Sequence, residues 1–125
     1  MCLLLDTNVF LWYFWGSLRI DNIKPLIEAE DTNVYLSTVS FWEIAIKVRT
    51  GKLDVDVEEL RSYAEEHDFN ELPITNVYMK AYLELPDLHK DPFDHMLLAQ
   101  AITTPMRFIT GDSNLAEYSS LVMVV

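Results

Sequence analysis

Short apolar runs separated by longer stretches of helical spacing are the feature that most restricts how this chain can fold. LLL (3–5), VYLS (34–37), NELPI (70–74), RFIT (107–110) and SLVMVV (120–125) read as strands. Between them, NVFLWYFW (8–15) reads as a helix or apolar turn, and residues 22–30 read as a helix. Residues 40–50 have helical spacing and stop at Gly51, a residue that commonly ends helices. Residues 57–67 form an acidic helix with Leu60 and Tyr63 on one side, and 75–85 form another. After a loop over 86–90, Asp91-Pro92 opens a helix, because proline suits the first helical position. DSNLAEY (112–118) is a turn or short helix. Strands alternating with helices predict an α/β fold, with a twisted, mainly parallel sheet flanked by helices. In such sheets ligands sit outside the carboxyl ends of the strands. No repeat, low-complexity tract or linker interrupts the pattern, and 125 residues suit one domain, so 1–125 is read as a single domain.

Half of the residues are hydrophobic, enough for a proper core. Cys2 is the only cysteine, so stability must come from packing rather than an internal disulfide, which suits a reducing cytoplasm. MCLLLDTN reaches an acid at position 6 without a basic flank and does not read as a signal peptide. No apolar run approaches the ~18 residues of a membrane span. The expectation is a small cytoplasmic domain. Nine Lys and Arg against twenty Asp and Glu leave a net charge of -11, which repels phosphate backbones and points to a basic partner or bound cations.

Five acids carry the interest. Asp6 ends the first strand, Glu43 lies one turn into the helix after the second, and Asp112 follows RFIT across Thr110-Gly111. Asp91 and Asp94 open the helix whose stripe Leu97, Leu98, Ala101 should face the core. Each acid has an ordinary structural explanation. Asp6 can cap the helix after it, and Asp112 a short C-terminal one. Ser40 to Glu43 matches a capping box. Asp91 looks like a helix cap, leaving Asp94 in the first turn, where the helix dipole favours an acid. Asp91 keeps that reading, with a minor outer role. The other four are harder to dismiss as a set. Gathered at one sheet edge, Asp6, Glu43, Asp94 and Asp112 would repel one another and raise some pKa values. Mg²⁺ or Mn²⁺ removes that cost, and two such ions roughly 3.5–4 Å apart can activate water and stabilise the leaving oxygen of a phosphodiester.

Other chemistries fit less well. His67, His89 and His95 have no zinc spacing with the one cysteine. Gly16, Gly51 and Gly111 are isolated, so there is no phosphate-cradling loop, and Ser37 and Ser40 lack a paired histidine. Met79, Met96, Met106 and Met123 read as core filling. The aromatic run Phe10, Trp12, Tyr13, Phe14, Trp15 reads first as core and second as a protein-binding surface.

LLLDTNVFLW (3–12), YLSTVSFWEIAIKVRTGKL (35–53), HKDPFDHMLLAQA (89–101) and FITGDSNLAEY (108–118), in this order, resemble a PIN-domain protein, specifically a VapC-type ribonuclease toxin of a toxin–antitoxin module. The resemblance runs nearly end to end and matches the family's acids to Asp6, Glu43, Asp94 and Asp112. It implies a PIN-like fold, one or two Mg²⁺ or Mn²⁺ ions, and RNA cleavage by metal-activated water that leaves 5′-phosphate and 3′-hydroxyl ends. It also implies a homodimer silenced by a basic, VapB-like antitoxin, which fits the acidic charge. One position departs: close relatives often carry arginine after the third aspartate, and this chain has His95, which titrates near neutrality.

The expected roles follow. Asp6 and Asp94 hold the central metal, Glu43 ligates or orients water, and Asp112 serves the second metal or its outer shell. Thr7, Asn8, Ser37 and Thr110 are candidates to orient the carboxylates. Lys47 pairs with Glu43 four residues back or, with Arg49, steers substrate phosphate. The rival readings are a non-catalytic PIN-like binding module and a solitary RNA-processing nuclease. A haloacid-dehalogenase-like phosphatase needs Asp-x-Asp where this chain has Asp6-Thr7-Asn8, and a receiver needs a late lysine where none follows Lys90.

Overall fold

The computed structural model describes residues 1–125. Five strands, β1 (Cys2–Leu5), β2 (Asn33–Ser37), β3 (Asn70–Leu72), β4 (Arg107–Thr110) and β5 (Val122–Val124), form one sheet in the order β3-β2-β1-β4-β5. Every neighbouring pair is parallel. The helices are α1 (Thr7–Phe14), α2 (Lys24–Ile27), α3 (Thr38–Arg49), α4 (Val57–Glu66), α5 (Met79–Glu84) and α6 (Pro92–Thr103), with 3₁₀ turns at 18–20, 76–78 and 113–118.

Side chains alternate across a strand, so the apolar runs feed both faces of the sheet. Leu3, Leu5, Val34, Leu36 and Ile109 join Val9, Phe10, Ile44 and Leu60 in one core cluster, which lies against α1, α3 and α4. Leu4 and Phe108 point the other way and meet Leu97, Leu98 and Ala101 of α6, so the stripe beneath Asp94 does face a core. The aromatic run divides along α1: Phe10 and Tyr13 are buried, while Trp15 is exposed. Met106 is buried as expected, but Met79 is exposed and fills no core.

From β1 the chain steps outward through β2 to β3, then returns to place β4 on the other flank of β1. The strand order therefore reverses beside β1, and a crevice opens beyond the carboxyl ends of β1 and β4. The backbone N–H of Asp6 donates to the Ile109 carbonyl at 2.9 Å, which ties the two strand ends together.

Several boundaries differ from the sequence expectation. The helix expected over 22–30 shrinks to α2. Pro25 sits in its first turn, Ile23 offers no side-chain cap, and the Glu28 carboxylate beyond its end accepts the Tyr13 hydroxyl at 2.9 Å. The third strand stops at Leu72, because Pro73 has no N–H to extend the ladder. The stretch 75–85 splits into a 3₁₀ turn and the short α5. Helix α3 starts earlier than expected: Ser37 is its cap, accepting the Val39 N–H at 3.0 Å, so Ser40 and Glu43 form no capping box. Its end is as expected, with Gly51 in the left-handed region at φ 76°.

Candidate metal centre

Asp6 leaves β1 and caps α1; it is buried beneath the crevice rather than lining it, and its charge reaches Asp94. Its Oδ1 accepts the Thr7 N–H at 2.8 Å, and its Oδ2 accepts the Thr110 hydroxyl at 2.7 Å. Thr110 in turn accepts the Asp112 N–H at 3.1 Å, so one buried threonine couples the acid after β1 to the acid after β4. The carboxyl of Asp6 is pushed up to about 6, mainly by burial and further by Glu43 and Asp91, against the lowering effect of its two hydrogen bonds.

Glu43 comes from the second turn of α3. Its Oε1 accepts the Thr7 hydroxyl at 2.7 Å, and its Oε2 faces the Lys47 ammonium at 3.1 Å. Ser40 lies 2.9 Å from the same Thr7 oxygen, on the buried side. Because the capping box is absent, both carboxylate oxygens of Glu43 are committed toward the crevice rim. Ser40, dismissed in the sequence as a nucleophile, instead belongs to the chain of hydroxyls that aims Glu43.

Asp91 caps α6 by accepting the Phe93 and Asp94 N–H groups at 2.9 and 3.3 Å. Asp94 sits one turn in, half-buried, and its carboxylate accepts no hydrogen bond from the protein. Burial pushes its carboxyl up to about 8, with Asp6, Asp91, Glu43 and Asp112 each adding to the rise. Asp112 caps the last 3₁₀ turn, accepting the Asn114 N–H at 2.9 Å. Gly111, next to it, lies flat under the Trp12 indole: a Cβ there would come within 2.5 Å of the ring.

One ligand atom each from His89, Asp94 and Asp112 lie within 4.8 Å of one another. His89, Asp91, Asp94, Asp112, Asn114 and Glu117 line one open crevice of about 530 Å³. Glu43, Lys47, Lys52 and Asp91 line an adjoining groove of about 340 Å³, so Asp91 borders both. The donor set fits a divalent cation. It is rich in carboxylate oxygens, and one member is held protonated near neutrality for want of countercharge.

The remaining sequence candidates separate clearly. Thr7 and Thr110 hydrogen-bond to the acids. Asn8 is exposed on α1. Ser37 is turned away, donating to Gln100 Oε1 at 2.6 Å while capping α3. Lys47 is at the groove, whereas Arg49 is exposed and outside its lining; Lys52, the third member of that basic cluster in the sequence, takes its place. The His95 Nε2 lies 3.1 Å from the Tyr118 hydroxyl, and its ring stacks on His89 with centroids 5.6 Å apart. His89, set aside in the sequence because it has no zinc spacing, lies alone beside two carboxylates, an arrangement that spacing rules for paired ligands do not find.

The model of the PIN domain family matches residues 3–121. This chain belongs to the PIN domain family. PIN domains are nucleases. Among solved structures, this PIN domain is similar to a chain in the crystal structure of VapBC2 from Rickettsia felis bound to a DNA fragment from their promoter. The match has a TM-score of 0.74 and 14% identity, and covers 100% of this chain and 98% of that one. At such identity the likeness is one of fold. No curated protein matches this PIN domain in sequence. No helix in it is long and apolar enough to cross a membrane.

Proposed function

We propose that this PIN domain is a metal-dependent endoribonuclease of the VapC type, the toxin of a toxin–antitoxin pair. The observation that carries the reading is Asp94: a half-buried carboxylate with no hydrogen-bond donor, facing four other acids. A carboxyl held protonated by its surroundings is poorly suited to a purely structural role and well suited to a cation. Asp6 and Asp94 hold the central Mg²⁺ or Mn²⁺, with Glu43 and Asp112 completing one or two sites. Bound there, the cation supplies Lewis-acid activation of water and neutralises charge developing on the phosphodiester.

The chain's own residues do the positioning. Thr110 and the Thr7 N–H hold both oxygens of Asp6 in one orientation, and the Thr7 hydroxyl fixes Glu43. Glu43, held by the Thr7 hydroxyl and Lys47, ligates the cation or orients an incoming water. Lys47 and Lys52 offset the acidic rim where the substrate phosphate must approach. Attack of that water on phosphorus with the P–O3′ bond breaking, one proton of the water ending on the departing O3′, leaves 5′-phosphate and 3′-hydroxyl ends.

Two further elements of the proposal concern partners. A net charge of -11 favours a basic antitoxin of the VapB kind. Exposed apolar surface around Trp42, Ile74 and Met79, beside Tyr82 and Phe93, supports protein contact in a homodimer or with that antitoxin, within the cytoplasm.

The test is cleavage of RNA by purified protein with Mn²⁺ or Mg²⁺, beside a chelator control and an Asp94→Asn variant. Metal-dependent cleavage lost in the variant is expected. Equal activity in both proteins would remove Asp94 from the site and the reading with it.

A further inference from the structure

We propose that His89 supplies a nitrogen ligand to the cation held by Asp94 and Asp112, tilting the site from Mg²⁺ toward transition dications. This rests on the cation site proposed above and extends it by a donor of a different chemical kind.

Three observations converge on His89. A ring nitrogen of His89 and one carboxylate oxygen each from Asp94 and Asp112 lie within 4.8 Å of one another. Ligands at about 2.1 Å from a six-coordinate ion stand about 3.0 Å apart when adjacent and about 4.2 Å apart when opposite, so one ion can span the three with modest closure. Second, the Nε2 of His89 is buried and has no hydrogen-bond partner. A buried polar atom without a partner is uncommon and needs a cause. Third, the ring is held in place from two sides. It stacks on His95 at 29° between ring planes and meets the Tyr118 ring edge-on at 5.4 Å, while its backbone N–H donates to the Tyr118 hydroxyl at 3.1 Å. Tyr118 also meets the His95 Nε2, so one tyrosine fixes both histidines beside the crevice. The loop before α6 and the 3₁₀ turn after β4 are thereby locked together next to the two carboxylates.

The chemical consequence concerns which ion is preferred. Mg²⁺ takes oxygen ligands and keeps its waters. Imidazole raises the affinity of a site for first-row transition dications more than for Mg²⁺. A site of carboxylates alone does not distinguish Mg²⁺ from Mn²⁺ in this way; a site with one imidazole does. The competing account is that His89 only packs against Tyr118 and His95.

Pulsed EPR of Mn²⁺ bound to the purified protein separates these accounts without any turnover. Wild type, His89→Ala, His89→Phe and Asp94→Asn are titrated with Mn²⁺ at one pH, and again with Mg²⁺ as competitor. His89→Phe keeps the ring packing while removing both nitrogens. The expected result is ¹⁴N modulation from a directly bound imidazole in wild type, absent in both His89 variants. Their Mn²⁺ affinity should fall about tenfold, with the Mg²⁺ competition constant nearly unchanged. Unchanged Mn²⁺ affinity and the same spectrum in His89→Phe, while Asp94→Asn loses the ion, would overturn the role of His89 and leave the acidic site standing. Full Mn²⁺ binding by Asp94→Asn, or none by wild type, would instead overturn the site itself.

Discussion

Helices α4 and α6 open on the same local pattern, an aspartate cap followed three residues later by a second acid. Asp56 accepts the Glu58 and Glu59 N–H groups at 2.9 and 3.4 Å, and Asp91 accepts those of Phe93 and Asp94 at 2.9 and 3.3 Å. Both second acids lie in the first turn, where the helix dipole favours negative charge. There the likeness ends. Glu59 is exposed to solvent, and its neighbour Glu58 pairs with Arg61 at 2.9 Å. Asp94 is half-buried, lacks any basic partner, and lies near Asp6 at the end of β1, Glu43 of α3, Asp112 after β4 and the Asp91 cap of its own helix. The difference teaches that a carboxylate's chemistry here is set by what the rest of the chain brings against it. The favourable dipole at the start of α6 is outweighed by burial and by four like charges.

That contrast can be broken at several points. The largest effect is expected in cleavage of RNA by the purified protein: Asp94→Asn should lower the rate by about 100-fold or more, at or beyond the upper end of what losing a mere outer-shell partner of a metal ligand costs. Glu59→Gln, the matched change on α4, should leave the rate as it was. Equal losses in both would mean that the first-turn acid matters through its helix and not through a cation.

Next comes the dependence of stability on pH. Asp94 keeps its proton up to about 8 in the folded chain, against 3.8 as its ordinary value, and Asp6 keeps its own up to about 6. The folded state therefore binds more protons than the unfolded one between about pH 4 and 8, and these groups cost stability as pH rises through that window. Thermal unfolding of the cation-free protein should show a melting temperature that falls by several degrees from pH 5.5 to 8.5. Mn²⁺ should restore more at pH 8.5 than at pH 5.5, because deprotonated carboxylates bind it better. Asp94→Asn should flatten the slope and Glu59→Gln should not. A slope unchanged by Asp94→Asn would count against the buried acid.

A smaller effect tests the caps. Asp56→Ala should cost about 1 kcal/mol in chemical denaturation, the usual loss of an N-cap. Asp91→Ala should cost less than that in cation-free protein at pH 8, since it also removes a charge that raises the Asp94 carboxyl. Equal costs would show that the charge of Asp91 does not act on Asp94.

The smallest change concerns substrate approach. Alanine at Lys47 and Arg49 together should weaken RNA affinity a few-fold and reduce the salt slope by about 1, with Lys47 responsible for the change. Arg61→Ala on α4, where the guanidinium already pairs with Glu58 and Glu65, should alter neither. If the Lys47 and Arg49 changes leave affinity and slope alone, steering by Lys47 is discarded.

Much of the fold was legible in the chain itself. The apolar runs are strands because both faces of a parallel sheet are buried, and uninterrupted Leu, Val and Ile then suit every position. Asp91-Pro92 and Gly51 mark helix boundaries through constraints local to one or two residues. The short elements were less legible. Helix α2 is a single turn with no side-chain cap, and α3 starts at Ser37 rather than Ser40.

The same division runs through the site. The sequence by itself determined the helix starts and strand ends that carry Asp6, Asp94 and Asp112, because caps and breakers act over a few bonds. It also determined the excess of acids, a net charge of -11. Tertiary structure alone decided which hydroxyls serve those acids, choosing Thr7, Thr110 and Ser40 over Ser37, and which cations line the groove, choosing Lys47 and Lys52 over Arg49. It alone set His89 beside Asp94 and Asp112. The physical reason is distance: hydrogen bonds, repulsion and ligation act across a few ångströms of space between segments up to 104 residues apart in the chain.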